Sequence, residues 1–152
     1  MRIRCIANTG ESLPSSYIAP ARGYKKETEL TLTVGKEYTV YALKQWQGTV
    51  WYYICDDNST YYPIQTPAPL FEMIDNRMSQ DWRFKFYNNG LLKIAFQKWF
   101  SEPYFYDKLT DQKEEEVLIF EKVKELMDVE ALSPDPMLTA IDRSLEMANL
   151  SG

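Results

Sequence analysis

From Leu30 to Pro63 the chain repeats one pattern, a short run of β-branched and aromatic residues followed by a turn-forming group. Leu30-Thr31-Leu32-Thr33-Val34 meets Gly35-Lys36, and Glu37-Tyr38-Thr39-Val40-Tyr41-Ala42-Leu43 is followed by a turn at Gln47-Gly48. Thr49-Val50-Trp51-Tyr52-Tyr53-Ile54-Cys55 then meets Asp56-Asp57-Asn58-Ser59, and Thr60-Tyr61-Tyr62-Pro63 resumes the extended chain. Runs of this length between Gly, Asn and Asp spell antiparallel hairpins, because only such turns reverse the chain within a few residues. Residues 2–7 and Leu70–Asp75 read as flanking strands. Pro63, Pro67 and Pro69 cannot donate to a ladder, so they belong at an edge or in a connection. Short strands at this spacing predict a small, strongly curved barrel or sandwich.

The run Leu32-Thr33-Val34-Gly35-Lys36-Glu37-Tyr38-Thr39-Val40-Tyr41, then Trp51-Tyr52-Tyr53-Ile54-Cys55-Asp56-Asp57, then Pro69-Leu70-Phe71-Glu72-Met73-Ile74-Asp75 resembles a bacterial SH3-like small barrel. The resemblance covers about half the chain and implies a fold for it. It lies in the order of strands and turns, so it implies no ligand-binding residue, and small barrels host many unrelated functions.

Asn8 to Glu29 carries Gly10, Pro14, Pro20 and Gly23 among serines, which is loop chemistry. A connection that long is either functional or a flexible surface excursion. Beyond residue 80, Trp82–Phe86 alternates as a strand, Asn88-Asn89-Gly90 turns, and Leu91–Phe96 reads as a strand or a helix start. A short helix is expected from Ser101 to Leu109. Asp111 with Glu114 resembles a capping box for a longer helix to about Val129, with Ile119, Phe120, Val123, Leu126 and Met127 on its apolar face. Asp135-Pro136 predicts the cap of a last helix whose stripe is Met137, Leu138, Ile141, Leu145 and Ala148. That stripe is expected to dock on the same domain, with a dimer or partner contact as the alternative. The whole reads as one α+β domain over 1–152, mainly β in 1–100 and mainly α in 101–152, an antiparallel barrel or sheet with helices packed on it.

Composition closes off several chemistries. The chain has 152 residues and no histidine, which removes Ser-His-Asp and Cys-His catalysis and the commonest zinc sites. Its two cysteines, Cys5 and Cys55, lie in apolar β-like runs where a buried, reduced thiol is the default; a disulfide requires the two strands to be neighbours. No apolar run nears the roughly 20 residues that cross a bilayer, the N-terminus is too short and charged for a secretory signal, and the cytoplasm is the simplest compartment. Aromatic residues make up 14%, which suits a β core first and a recognition surface second.

Charge is unevenly spread. Residues 1–101 hold 12 Lys/Arg against 9 Asp/Glu, whereas residues 102–152 hold 5 against 13, so the net charge of −5 conceals a strongly acidic C-terminal part. Glu114, Glu115, Glu116, Glu121, Glu125 and Asp128 fall on one helix. They form either a solvated face favoured by the helix dipole or a surface that steers a basic partner. Nucleic acid is not an expected partner, since the net charge has the wrong sign and the basic grouping is only Arg22, Lys25 and Lys26.

These features favour a non-catalytic protein-binding protein, a monomer or homodimer with no cofactor and no membrane segment. In size, acidity and absence of catalytic machinery it is similar in type to immunity proteins, which neutralise toxins of bacterial competition systems. The acidic helix would cover a basic toxin domain, with Trp46, Tyr61 and Tyr62 as candidate aromatic anchors. Two alternatives stand beside it. One is a regulatory or scaffold module binding a peptide on its aromatic face. The other is a metal-dependent hydrolase using Asp56, Asp57 and Asp75, which requires those carboxylates to meet.

Overall fold

The computed structural model describes residues 1–58 and 61–151. Among the described residues eight strands, β1 (Arg2–Cys5), β2 (Glu37–Thr39), β3 (Ala42–Trp46), β4 (Thr49–Ile54), β5 (Ile64–Pro67), β6 (Phe71–Asp75), β7 (Trp82–Phe86) and β8 (Leu92–Phe96), precede four α-helices. These are α1 (Gln97–Ser101), α2 (Phe105–Thr110), α3 (Glu114–Leu132) and α4 (Pro136–Leu150). All strand pairs are antiparallel, in a three-stranded sheet of order β2-β1-β6 and a five-stranded sheet of order β5-β4-β3-β8-β7. The molecule is therefore α+β, and neither sheet closes on itself.

Local chemistry explains most of the layout. The β3–β4 hairpin turns on Gln47 and Gly48 at φ 47° and 76°, the two left-handed residues a two-residue hairpin needs to match strand twist. Pro67 lies on β5, at the edge of its sheet, where a missing N–H costs nothing. The expected strand 37–43 divides in two at Val40-Tyr41, both buried. There the chain leaves one sheet and enters the other.

Several expectations are corrected. Leu30–Val34 forms no strand, because its backbone is committed elsewhere. Leu30 N–H donates to Asn8 O at 2.8 Å, Asp57 N–H to Thr31 O at 3.1 Å and Thr33 N–H to the Tyr38 hydroxyl at 3.0 Å. The Asp111 capping box is absent. Asp111 ends α2, Gln112 takes φ 59°, and α3 begins after Lys113 with no side-chain cap. Third, α4 does not dock: all its residues are exposed. The extended reading of Ser59 and Thr60 lies outside the described residues, and Tyr61-Tyr62 bend rather than extend.

The long connection is packed. Tyr17 is buried against the Trp51 ring at 5.3 Å, and its hydroxyl accepts from Val50 N–H at 2.8 Å. A side chain at Gly10 would overlap the Lys25 carbonyl. The core runs from Ile3, Cys5, Val40, Ile54 and Leu70 between the sheets to an aromatic group under the helices. In that group Trp99 stacks on Tyr106 at 5.2 Å, and Phe96 meets Phe105 edge-on at 5.5 Å.

Candidate functional site: the helical layer

Helix α3 has one face in the core and one in solvent. Phe120, Met127 and Ala131 are buried at helical spacing, and the Phe120 ring meets Tyr41 edge-on at 5.4 Å. A second tie fixes the helix to the first β corner. The Tyr41 hydroxyl donates to Asp128 Oδ1 at 2.6 Å, and Lys124 Nζ reaches Asp128 Oδ2 at 2.8 Å. Burial pushes the Tyr41 phenol far above its ordinary range, and the Asp128 carboxylate adds to the shift.

The six acidic residues thereby separate into two groups. Glu114, Glu115, Glu121 and Glu125 are exposed. Asp128 holds the helix to the sheet. Glu116 turns inward, 7% exposed and 4.0 Å from Lys108, with its Oε2 lacking a hydrogen-bond partner. Between the exposed acids stand Leu118, Leu126, Val129 and Leu132, each more than half exposed. Leu126, which the sequence assigns to the inner apolar face, is thus corrected to the outer one. Leu118, Val129 and Leu132 escaped the sequence reading because it followed the inner period; the signal lay in the spacing 118, 125, 129, 132, one helical face shared with Glu125.

Helix α4 begins as the sequence predicts, with Pro136 in its first turn and the Asp135 carboxylate accepting from Met137 N–H at 2.9 Å. Its stripe of Leu138, Ile141, Leu145 and Ala148 has the 3-4-3 spacing of a seam made to face another surface. Leu138 is 60% exposed and Leu145 59%. A lone helix of 15 residues is marginal in water, since its stability ordinarily comes from packing an apolar face. Among the described residues nothing covers that face.

The junction between α3 and α4 is held from the first sheet. The Arg77 guanidinium grips both oxygens of Asp75, Oδ2 at 2.7 Å and Oδ1 at 3.1 Å, and donates onward to Ser133 O at 2.8 Å. It thus satisfies a carbonyl just past the end of α3, where helix carbonyls lack partners. Beside it, at the root of α4, a hollow of about 330 Å³ is lined by Met1, Met78, Glu130, Pro134 and Met137, among others. The hydrogen bonds from Arg77 hold the Asp75 carboxyl at about 2, below its usual 3.8. A lowered folded-state pKa stabilises fully above the ordinary carboxylate value and is lost as pH falls through the folded one. The Tm gap between wild type and Asp75→Asn is therefore expected to be constant near neutrality and to close from about pH 4 to about pH 2, measured by thermal melts across that range.

The remaining candidates do not converge. Asp57 accepts from Lys36 at 2.6 Å, Thr33 at 2.7 Å and Tyr38 at 2.9 Å. These bonds lower its pKa and lock the 31–36 loop to the β4–β5 connection. Asp56 accepts from Asn58 N–H at 3.0 Å. Asp75 pairs with Arg2 at the start of β1, whereas the Lys36 that holds Asp57 bonds Cys5 at its end. Asp57 and Asp75 thus flank β1 at opposite ends, and no group able to hold a metal occurs among the described residues. Tyr61 and Tyr62 meet edge-on at 4.5 Å; the Tyr61 hydroxyl accepts from Gln112 at 3.0 Å, and Tyr62 packs against the core. Trp46 is half-buried at the end of β3, its carbonyl accepting from Thr49. Arg22 turns to Thr49 at 2.8 Å while Lys25 and Lys26 stay exposed. Both cysteines are free thiols; burial raises the Cys5 thiol and pushes Cys55 up to about 12, so neither is a ready nucleophile.

No protein family, curated protein or solved structure matches this chain. Its function is read from its own surfaces. No described helix is long and apolar enough to cross a membrane.

Proposed function

We propose that this is a cytoplasmic, non-catalytic binding protein that captures a basic protein partner on its helical layer, in the manner of an immunity-type inhibitor neutralising a bacterial toxin. The observation that carries the reading is the uncovered apolar seam of α4, next in the chain to an α3 whose outer face mixes leucines with Glu114, Glu115, Glu121 and Glu125. An apolar centre with a charged rim is the anatomy of a recognition surface. The acidity selects the partner. A second copy would bring two strongly acidic helical layers together, whereas a basic-rimmed apolar groove is complementary in both respects. Trp46, Tyr61 and Tyr62 act in this reading as scaffold, since the two tyrosines are committed to internal contacts.

For residues 1–75 we adopt an SH3-like small barrel. Two features support it. The β2–β3 stretch passes between the sheets at Val40-Tyr41, and the chain returns from β5 to β6 through a 3-10 turn at Ala68–Leu70. Corners where the chain switches sheets are how two short sheets curl round one core. β7 and β8 then widen the second sheet beyond the barrel.

The test is capture from the native host with the full chain as bait, at low and at moderate salt, using wild type and a variant with Glu114, Glu115, Glu121 and Glu125 changed to glutamine. A basic protein held by wild type, released by salt and lost from the variant supports the reading. A partner held equally by both, whatever the salt, contradicts it.

A further inference from the structure

The five-stranded sheet carries a line of cations that no acidic residue of α3 or α4 pairs with. Lys85 on β7 stands directly opposite Lys93 on β8, and Lys93 directly opposite Lys44 on β3. Adjacent strands are about 4.8 Å apart, so three lysines follow one another across three strands on one face. Like charges placed directly opposite destabilise a sheet. Only Lys85 lies on an edge strand, where a lysine would guard against aggregation. Lys44 and Lys93 sit inside the sheet and are half-buried. A fourth cation joins the line. The Arg22 guanidinium and Lys44 Nζ lie 6.0 Å and 5.7 Å from the centre of the same Trp51 ring, and Lys93 Nζ is 5.8 Å from the Trp99 ring.

None of these four groups joins an ion pair among the described residues. Their neutral partners are Gln65 for Lys44, and Thr49 and Gln47 for Arg22. The charged form of Lys44 is disfavoured by burial and then by Lys93 and Arg22; that of Lys93 is disfavoured by burial, with Asp107 opposing. The fold holds cations together at a cost, which an arriving anion would relieve.

We propose that Lys85, Lys93, Lys44 and Arg22 form a binding site for a linear di- or triphosphate group of the kind nucleotides carry. The spacing favours phosphate over an acidic peptide, whose same-face carboxylates are about 6.8 Å apart along an extended strand, wider than the lysine pitch. Lysine ammoniums suit phosphate oxygens as compact point charges. A single-stranded nucleic acid would need exposed rings for its bases, whereas Trp51, Tyr53 and Trp99 are 3%, 4% and 6% exposed beneath the cations. The site uses no residue of α3 or α4 and does not depend on the partner reading.

The test is calorimetric titration of the full chain with sodium triphosphate, with a single-stranded oligonucleotide in a parallel arm. Saturable one-to-one binding is expected, weakened about tenfold by Lys93→Met or Lys44→Met and a few-fold by Lys85→Met, and unchanged by Lys113→Met. Lys85 is exposed, so that variant keeps the fold intact, and Lys93→Met is expected to raise Tm by relieving repulsion. Absence of saturable triphosphate binding overturns the proposal. So does equal weakening by Lys113→Met, which would mark non-specific attraction, or tighter binding of the oligonucleotide, which would mark a nucleic-acid surface.

Discussion

Changing Ile141 and Leu145 together to glutamate is expected to weaken partner binding by at least about 100-fold while leaving Tm within about 1 °C of wild type. Two truncated anchors at the centre of an interface cost about 2 kcal/mol or more each, and a tenfold loss accompanies every 1.4 kcal/mol. The unchanged Tm follows from α4 itself, which is exposed throughout and contributes no residue to the core. Ordinary core helices behave oppositely, since two buried apolar positions made acidic would unfold the protein. Thermal melts and binding measured on the same preparations separate the cases. A substantial fall in Tm would mean that α4 packs on its own domain.

Phe120→Ala is expected to do the reverse, lowering stability by about 3–5 kcal/mol and Tm by about 10 °C. Phe120 is fully buried, edge-on to Tyr41, at the centre of the α3 contact with the sheets. Removing it opens a cavity there and loosens the Tyr41–Asp128 bond that fixes the same helix. Stability of a domain this size is typically about 5–15 kcal/mol, so the variant stays folded at low temperature. Denaturant unfolding at 25 °C measures the loss. A change under about 1 kcal/mol would show that α3 is not anchored as described.

The β architecture was legible where local chemistry determines it. Gln47-Gly48 and Asn88-Asn89-Gly90, like the Asp135-Pro136 cap of α4, act on backbone within a residue or two of themselves, and each appears where the sequence places it. Leu30–Val34 was not legible, because its N–H and C=O groups are taken by Asn8, Tyr38 and Asp57, partners that only the folded chain supplies. Periodicity found the stripe on α4 but not what lies opposite it, since amphipathicity says that a helix has an apolar face and nothing about its occupant. On α3 it could not tell Glu115, exposed, from Glu116, buried, because one residue of helix rotation decides that. The lysine line was invisible for a related reason. Lys44 is far in sequence from Lys85 and Lys93, and only the register of β3, β8 and β7 aligns the three.

Amide hydrogen exchange across residues 136–150, in the isolated chain and after the captured partner is added, reports whether α4 is the bare half of an interface. With its seam covered by none of the described residues, α4 should exchange close to the unprotected rate in the free protein while β1, β3 and β4 stay protected, and should become protected in the complex. Strong protection of α4 in the isolated monomer, or exchange there that the partner leaves untouched, would contradict the account.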